Sequence, residues 1–382
     1  MLKKEGDPLK KFVLIPDSFK GTLSSTEICE TLERTIRAHH SDAEVVSIPV
    51  ADGGEGSVDC FLTALGGEKV TLTVNNPYME EMSAYYGLID NGQTAVIEMA
   101  ACAGLPLVET RKNPLKTTTY GVGELMLHAA DQGVKKIVVG LGGSSTNDGG
   151  CGAAAAAGVL FYNDQNETFV PTGGTLKDIA RIDVSQVAPS LKEVEIVTMC
   201  DIDNPMYGPT GAAHVFGPQK GADKDMVLFL DAGVKHLAEV IQRDLAMDLS
   251  TMPGTGAAGA MGAGMVAFFH STLQMGIETV LDTVNFEKII QDADYIFTGE
   301  GKIDFQSLRG KVVIGVAKRA KKQEKKVIVI AGGADQGIEE AYEVGVTAVF
   351  TINRLPEPLE ISRHKSRENL YDTADNILRI LQ

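Results

Sequence analysis

One unit recurs along this chain: a short apolar run, a loop mixing glycine with aspartate or glutamate, then a helix. It is clearest at the start. Phe12 to Ile15 is an apolar run suited to a strand buried on both faces. Pro16 stops it, and Asp17-Ser18-Phe19-Lys20-Gly21 forms a loop. Ser24-Ser25-Thr26-Glu27 then matches a capping box, with Ser24 as N-cap and Glu27 at the third helical position. The helix runs to about Ala38, with Ile28, Leu32 and Ile36 on its apolar face. Glu44 to Val50 reads as a second strand, Asp52-Gly53-Gly54-Glu55-Gly56 as a second loop, and a helix follows through Leu65. A strand that returns parallel to its predecessor needs a crossover helix, so this alternation predicts a parallel α/β layer.

From about Lys69 the pattern changes. Val70–Val74, Ala84–Ile89 and Ala95–Met99 read as strands, and Asn91-Gly92 is a hairpin turn signal. A helix at about Thr119–Gln132 leads to a strand at Lys136–Gly140, a loop from Gly142 to Gly150 and an Ala-rich helix to Gly158. Val194–Met199 is a strand ending at Cys200-Asp201, Met226–Leu245 is helical, and Ala257–His270 is a helix packed through small residues. Met261, Met265, Phe268 and Phe269 on that helix are core positions. After about Asp292 the first pattern returns, with strands at Tyr295–Thr298, Val327–Ile330 and Thr347–Ile352 and helices from about Lys311 and Asn369. The expected fold class is α/β with two domains. Residues 1–78 and 290–382 form a doubly wound parallel domain, and 79–289 an inserted α/β domain with a mixed sheet.

Composition excludes several functions. There are 35 Lys and Arg against 51 Asp and Glu, a formal charge of −16. Such a surface repels phosphate backbones and anionic lipid, so neither nucleic acid nor a membrane is an expected partner. An anionic substrate would need local cations or helix N-termini to overcome that field. The basic run Lys318-Arg319-Ala320-Lys321-Lys322 reads as a solvated helix end, because no aromatic residue interleaves it. The five cysteines are widely spaced and none forms CxxC, which reads as reduced thiols in a cytoplasmic protein. The seven histidines show no HExxH spacing, so zinc is not expected. The apolar run at 12–15 is too short for a signal-peptide core, and Gly254–Phe269 is shorter than a membrane span. The 41 glycines point to tight loops where backbone approaches a ligand.

Ligands of open α/β sheets bind beyond the strand C-termini, and the acidic glycine loops stand there. They carry Asp17, Asp52 with Glu55, Asp148, Asp201, and Glu300 with Asp304. Taken singly, each carboxylate reads as an N-cap or turn residue. Five such loops in one chain point to a site. Glycine turns and helix N-termini favour anions. Carboxylates beside them require an intervening cation, which suggests Mg2+ and a nucleotide. No GxxxxGK[ST] or GxSxG sequence occurs. Gly254-Thr255-Gly256-Ala257-Ala258-Gly259 matches GxGxxG but lacks a preceding strand, so its glycines read as close packing or approach to phosphate.

Several segments together resemble the bacterial-type glycerate kinase family. They are PDSFKGTLSS from Pro16, ADGGEGS from Ala51, PLKTTTYGVGEL from Pro114 and GLGGSSTNDGGCG from Gly140. They continue as CDIDNPMYGPTGAAHVFGPQKGA from Cys200, GTGAAGAMGAG from Gly254 and TGEGKIDFQSLRGKVVIGVA from Thr298. Departures are small: Thr22 and Ser57 exchange one hydroxyl residue for another, and Val122 and Val313 replace a usual threonine and proline. Lys302 replaces a frequent arginine, which keeps the charge and loses the planar fork. The resemblance implies a two-domain enzyme with its active site in the interdomain cleft, using ATP and Mg2+ to phosphorylate D-glycerate, with the 2-hydroxyl favoured. The alternatives are a kinase for another small hydroxy acid and a non-catalytic sensor of glycerate or nucleotide. Whether the chain forms a homo-oligomer is left open.

Phosphoryl transfer asks for positioning and charge neutralisation, and the loop residues divide accordingly. Asp17, Ser18, Lys20, Asp52 and Lys302 are the expected substrate contacts. Gly142, Gly143, Ser144 and Ser145, with Asp148 beside them, form the expected phosphate cradle, joined by Gly299 and Gly301. Asp52, Glu55 and Glu300 are the candidate metal ligands. Asp201 is the first candidate for general base and Asp304 the second, with Lys20 as a catalytic cation.

Overall fold

The computed structural model describes residues 10–51, 53–304, 307, 310–353, 355 and 357–381. The strands in chain order are β1 (Lys11–Leu14), β2 (Glu44–Ser47), β3 (Glu68–Asn75), β4 (Glu81–Ile89), β5 (Thr94–Glu98) and β6 (Lys136–Gly140). They continue with β7 (Leu160–Tyr162), β8 (Thr168–Phe169), β9 (Arg181–Asp183), β10 (Glu195–Met199) and β11 (Thr272–Gln274). The last are β12 (Tyr295–Thr298), β13 (Lys302–Ile303), β14 (Lys326–Ala331), β15 (Gly333–Ala334) and β16 (Val346–Thr351).

The chain divides into two compact units, Met1–Ala51 with Ile277–Gln382, and Asp52–Gly276. The first contains a sheet of order β16-β14-β12-β1-β2, parallel throughout. Phe12, Leu14, Phe297, Ile328 and Ile330 pack one face of it against Ile28, Leu32 and Ile36 and against Leu370, Ile377 and Leu378. Val13, Ile296 and Val329 on the other face are equally buried, which is why these strands read as continuous apolar runs. The helix Ser25–His39 begins with the expected capping box. Ser24 Oγ accepts from Glu27 N at 3.2 Å, and Glu27 Oε2 accepts from Ser24 N at 2.9 Å. β2 ends at Ser47, ahead of Pro49 and short of the expected Val50.

The second unit holds a mixed sheet of order β11-β10-β6-β5-β4-β3, parallel from β11 to β5 and antiparallel from β5 to β3. The divide at 51/52 falls earlier than the expected 78, and that at 276/277 earlier than 290. The helix Ser57–Leu65 packs on β4 and β5, and β3 pairs along its whole length with β4, so residues 57–75 belong with the mixed sheet. A small antiparallel sheet, β8-β7-β9, was not expected from the sequence.

Two further features depart from expectation. The helix Ala257–Phe269 opens with three residues in the left-handed region, Ala258, Gly259 and Ala260. The basic run is not a freely solvated end: Arg319 donates to Glu287 at 2.5 Å and Asp282 at 2.6 Å, and lies 3.4 Å from Glu278. Met261, Met265, Phe268 and Phe269 are buried in the core of the second unit. Among the described residues no helix is long and apolar enough to cross a membrane.

Candidate active site

In the first unit the chain leaves β1 towards β2 on one side, and β12, β14 and β16 build on the other. The carboxyl ends of β1 and β12 therefore flank the topological switch point, where open α/β sheets bind ligands. Asp17 stands at one of these ends, and its N–H donates to Gly299 O at the other, at 2.8 Å. Its carboxylate accepts from Ser18 N at 2.6 Å and from Ser18 Oγ at 3.3 Å. A side chain at Gly299 would come within 1.9 Å of Ile330 O, so only glycine lets β12 end this close to β14. Gly301 O accepts from Gly333 N at 3.2 Å, which begins the short β13–β15 pairing.

Between those glycines sits Glu300. It is 6% exposed, and its Oε1 is buried without a hydrogen-bond partner among the described residues. Burial pushes the carboxyl up to about 7; Asp17 and Asp304 add to the shift, and Ser307 and Lys311 oppose it. Asp304 closes a local turn, accepting from Ser307 N at 3.2 Å. Lys20 is exposed on the turn between Phe19 and Leu23. Lys302 is exposed too and pairs with Asp335 at 2.8 Å. This unit thus gathers Asp17, Ser18, Gly299, Glu300, Gly301 and Asp304, and holds Lys302 in a surface ion pair.

In the second unit the loop at Gly53–Gly56 lies against the end of β6. A Cβ at Gly140 would meet Gly53 O at 2.3 Å, and one at Gly142 would meet Gly54 Cα at 2.4 Å. Glycines on both loops allow this backbone-to-backbone contact. Glu98, which sequence reasoning missed, secures it: its carboxylate accepts from Gly56 N at 3.0 Å and Val58 N at 2.7 Å, capping the helix Ser57–Leu65. Its only sequence signal is a carboxylate at the end of a buried strand. Glu55 is exposed on the same loop. Asp52 lies outside the described residues.

The predicted cradle is narrower than the sequence indicated. The N–H of Gly142 donates to Gly53 O at 3.0 Å, and that of Ser145 to Ala103 O at 2.9 Å. The N–H groups of Gly143 and Ser144 have no such acceptor among the described residues. Gly143 is exposed, with φ +76°. Asp148 faces inwards. It is fully buried and accepts from Thr119 N, Thr119 Oγ1, Thr118 Oγ1, Gly150 N and Gly152 N at 2.7 to 3.2 Å. Its carboxylate ties the loop to the helices on either side. Asp201 follows β10, is exposed, and accepts from Gly276 N at 2.7 Å. The glycines of GTGAAG serve close packing: a Cβ at Gly256 would lie 2.1 Å from Pro205 O, and one at Gly259 2.1 Å from Thr146 O. Lys220, a second residue that sequence reasoning missed, is buried behind the cradle and donates to Ser144 Oγ and Thr146 O.

Among the described residues no three His, Cys, Asp or Glu side chains are grouped to hold a metal. Mg2+ with a nucleotide needs only one or two carboxylates, with phosphate and water completing its shell. The orphaned Oε1 of Glu300 fits such a ligand.

Parallel strands ending in glycine loops, with backbone donors on one loop and buried charges on two, define an α/β enzyme that handles anionic substrates. The chain belongs to the glycerate kinase family, whose model matches residues 12–382. It is 46% identical over 371 residues to the glycerate kinase of Bacillus cereus, spanning 97% of each chain. It is 42% identical to the glycerate 2-kinase of Escherichia coli K12, over 97% of this chain and 98% of that one. A crystal structure from Salmonella typhimurium LT2, assigned to glycerate kinase 2, superposes with a TM-score of 0.86 at 41% identity and covers 98% of both chains.

Proposed function

We propose that this chain transfers the γ-phosphoryl group of ATP to the 2-hydroxyl of D-glycerate, giving 2-phosphoglycerate and ADP. Full-length similarity to glycerate kinases supports the reaction class, and the name of the Escherichia coli relative supports the 2-position. The structural observation that carries the reading is the loop after β6. It offers the Gly143 and Ser144 N–H groups at a parallel-strand end, as a phosphate requires.

The roles follow from charge and position. Gly143 and Ser144 receive phosphate oxygens, and Gly142 and Ser145 shape the turn with their own N–H groups engaged internally. Gly299 lets the end of β12 pack close to β14 beside Glu300, and Gly301 adds no side chain there. Asp17 and Ser18 bind the glycerate hydroxyls, and Lys20 neutralises the glycerate carboxylate or a phosphate. Glu300 in the first unit, or Glu55 in the second, would hold Mg2+, which would supply neutralisation of charge on the phosphate oxygens. Asp201 takes the proton as the glycerate oxygen forms its bond to phosphorus and the bond from phosphorus to the ADP oxygen breaks. Asp304, tied into its turn with Ser307, is the weaker candidate for that step.

Purified protein is to be assayed for ADP release with D-glycerate, L-glycerate, lactate and tartrate, with and without Mg2+. Release confined to D-glycerate and dependent on Mg2+ supports the reading, whereas preference for another hydroxy acid reassigns the substrate. Asp201→Asn is expected to lower kcat by about 100-fold or more with the fold unchanged, the usual scale for a general base. Near-full turnover would remove Asp201 from that role.

A further inference from the structure

Lys220 lies in a short turn, Pro218–Lys220, after the helix Ala212–Phe216. Its side chain is 1% exposed. The Nζ donates to Ser144 Oγ at 2.7 Å and to Thr146 O at 2.6 Å, bridging 76 and 74 positions of sequence. Nothing in the reaction assigned above uses it.

A buried ammonium is expensive, and well-packed apolar residues commonly replace buried charges with no loss of stability. Its presence beside a functional loop therefore points to function. The loop is incompletely satisfied even with Lys220 in place. Thr146 Oγ1 and both amide atoms of Asn147 are buried with no partner among the described residues. Ser145 anchors one side of the turn to Ala103, and Asp148 anchors the far side to Thr118 and Thr119. Lys220 holds Thr146 O between these anchors and the side chain of Ser144 just before the first. Burial lowers the lysine to about 7, and Asp148 pulls it back up, so the charge is sensitive to what binds nearby. In a chain of net charge −16, a cation behind the donor face also offsets repulsion of phosphate.

We infer that Lys220 is the positioning residue of the phosphate loop: by holding Ser144 Oγ and Thr146 O, it fixes the turn whose Gly143 and Ser144 N–H groups receive the nucleotide. This rests on the nucleotide reading of that loop given above and adds the residue that makes it rigid.

The test compares Lys220→Met, Ser144→Ala and the double variant in initial-rate kinetics, with ATP and D-glycerate varied separately and folding checked by circular dichroism and Tm. Losing a charge-assisted hydrogen bond corresponds to about 10- to 100-fold in kcat/KM. K220M is expected to lose that much for ATP, mainly through KM, with the KM for glycerate within about threefold of wild type. Ser144→Ala should lose less, and the double variant no more than K220M alone, because both act through one contact. Folded K220M with wild-type kcat/KM for ATP overturns the inference, and so does additivity of the two substitutions. If both variants raise the KM for glycerate and spare ATP, the nucleotide reading of the loop has failed and the inference falls with it. Absence of turnover in the wild type would instead condemn the proposed reaction. Should K220M not fold, Ser144→Ala alone decides: a selective loss for ATP supports the inference and unchanged kinetics overturn it.

Discussion

A buried lysine, Lys220, backs the loop after β6 and a buried glutamate, Glu300, sits on the loop after β12, and burial drives the two towards the same pH from opposite directions. Lys220 falls to about 7 and the Glu300 carboxyl rises to about 7. Their surroundings differ. The ammonium has two protein acceptors within 2.7 Å, and one carboxylate oxygen has no partner among the described residues. A charge met by its own loop holds the protein in shape, and one left partly unmet is available to a ligand. The contrast assigns positioning to Lys220 and ligand contact to Glu300.

The contrast can be broken at four places, in falling order of effect. Asp148→Asn strikes the loop after β6 hardest. The amide places an N–H2 where the carboxylate accepts five hydrogen bonds, and a loss of about 3 kcal/mol or more is expected from breaking so buried a network. Urea unfolding measures it, and a loss under 1 kcal/mol would show that the loop does not depend on this carboxylate.

Glu300→Gln should separate activity from stability. Turnover falls by about 100-fold if the carboxylate meets a ligand in the reaction, a typical size for one electrostatic contact. Stability moves the other way. The folded carboxyl sits at about 7, above its ordinary 4.5, so the folded protein prefers the protonated form. That preference contributes stability below pH 4.5 and is lost as pH rises through 7. Metal-free E300Q is therefore expected to be more stable than wild type above pH 7, with the gap closing towards pH 4.5. A gap of equal size at pH 5 and pH 8 would contradict the burial assigned to this side chain.

Gly299→Ala tests the same loop through its backbone. Its Cβ would stand 1.9 Å from Ile330 O, and overpacking of this kind costs about 1 to 3 kcal/mol. An unchanged urea midpoint would mean that β12 can retreat from β14 without penalty. Lys302→Ala is the smallest. Its partner Asp335 is about as exposed as the lysine itself, and such exposed, solvent-screened pairs contribute little to stability. A shift in Tm too small to resolve is expected, with the KM for glycerate reporting separately whether the lysine touches substrate.

The strands and caps were legible in the sequence wherever the signal was local. β6 and β12 stand where their apolar runs indicated, and the Ser24 capping box formed as its spacing required. What escaped was set by contacts across the chain. Lys220 and Glu98 act on groups 76 and 42 positions away, and in sequence each is one charged residue near a glycine or a strand end. The left-handed entry of Ala258 and Ala260 was also hidden, since alanine carries no signal for positive φ. Asp148 was correctly placed in the loop. Its five donors, drawn from residues 118–152, turn it inwards, and that only the folded chain reveals.

The measurement that bears most directly on this account is phosphorus NMR of the reaction of the purified protein with D-glycerate, ATP and Mg2+. ADP and a single new phosphomonoester, 2-phosphoglycerate, are expected to form together. Formation of 3-phosphoglycerate would contradict the assigned hydroxyl, and folded protein that yields no phosphoglycerate would contradict the proposed reaction itself.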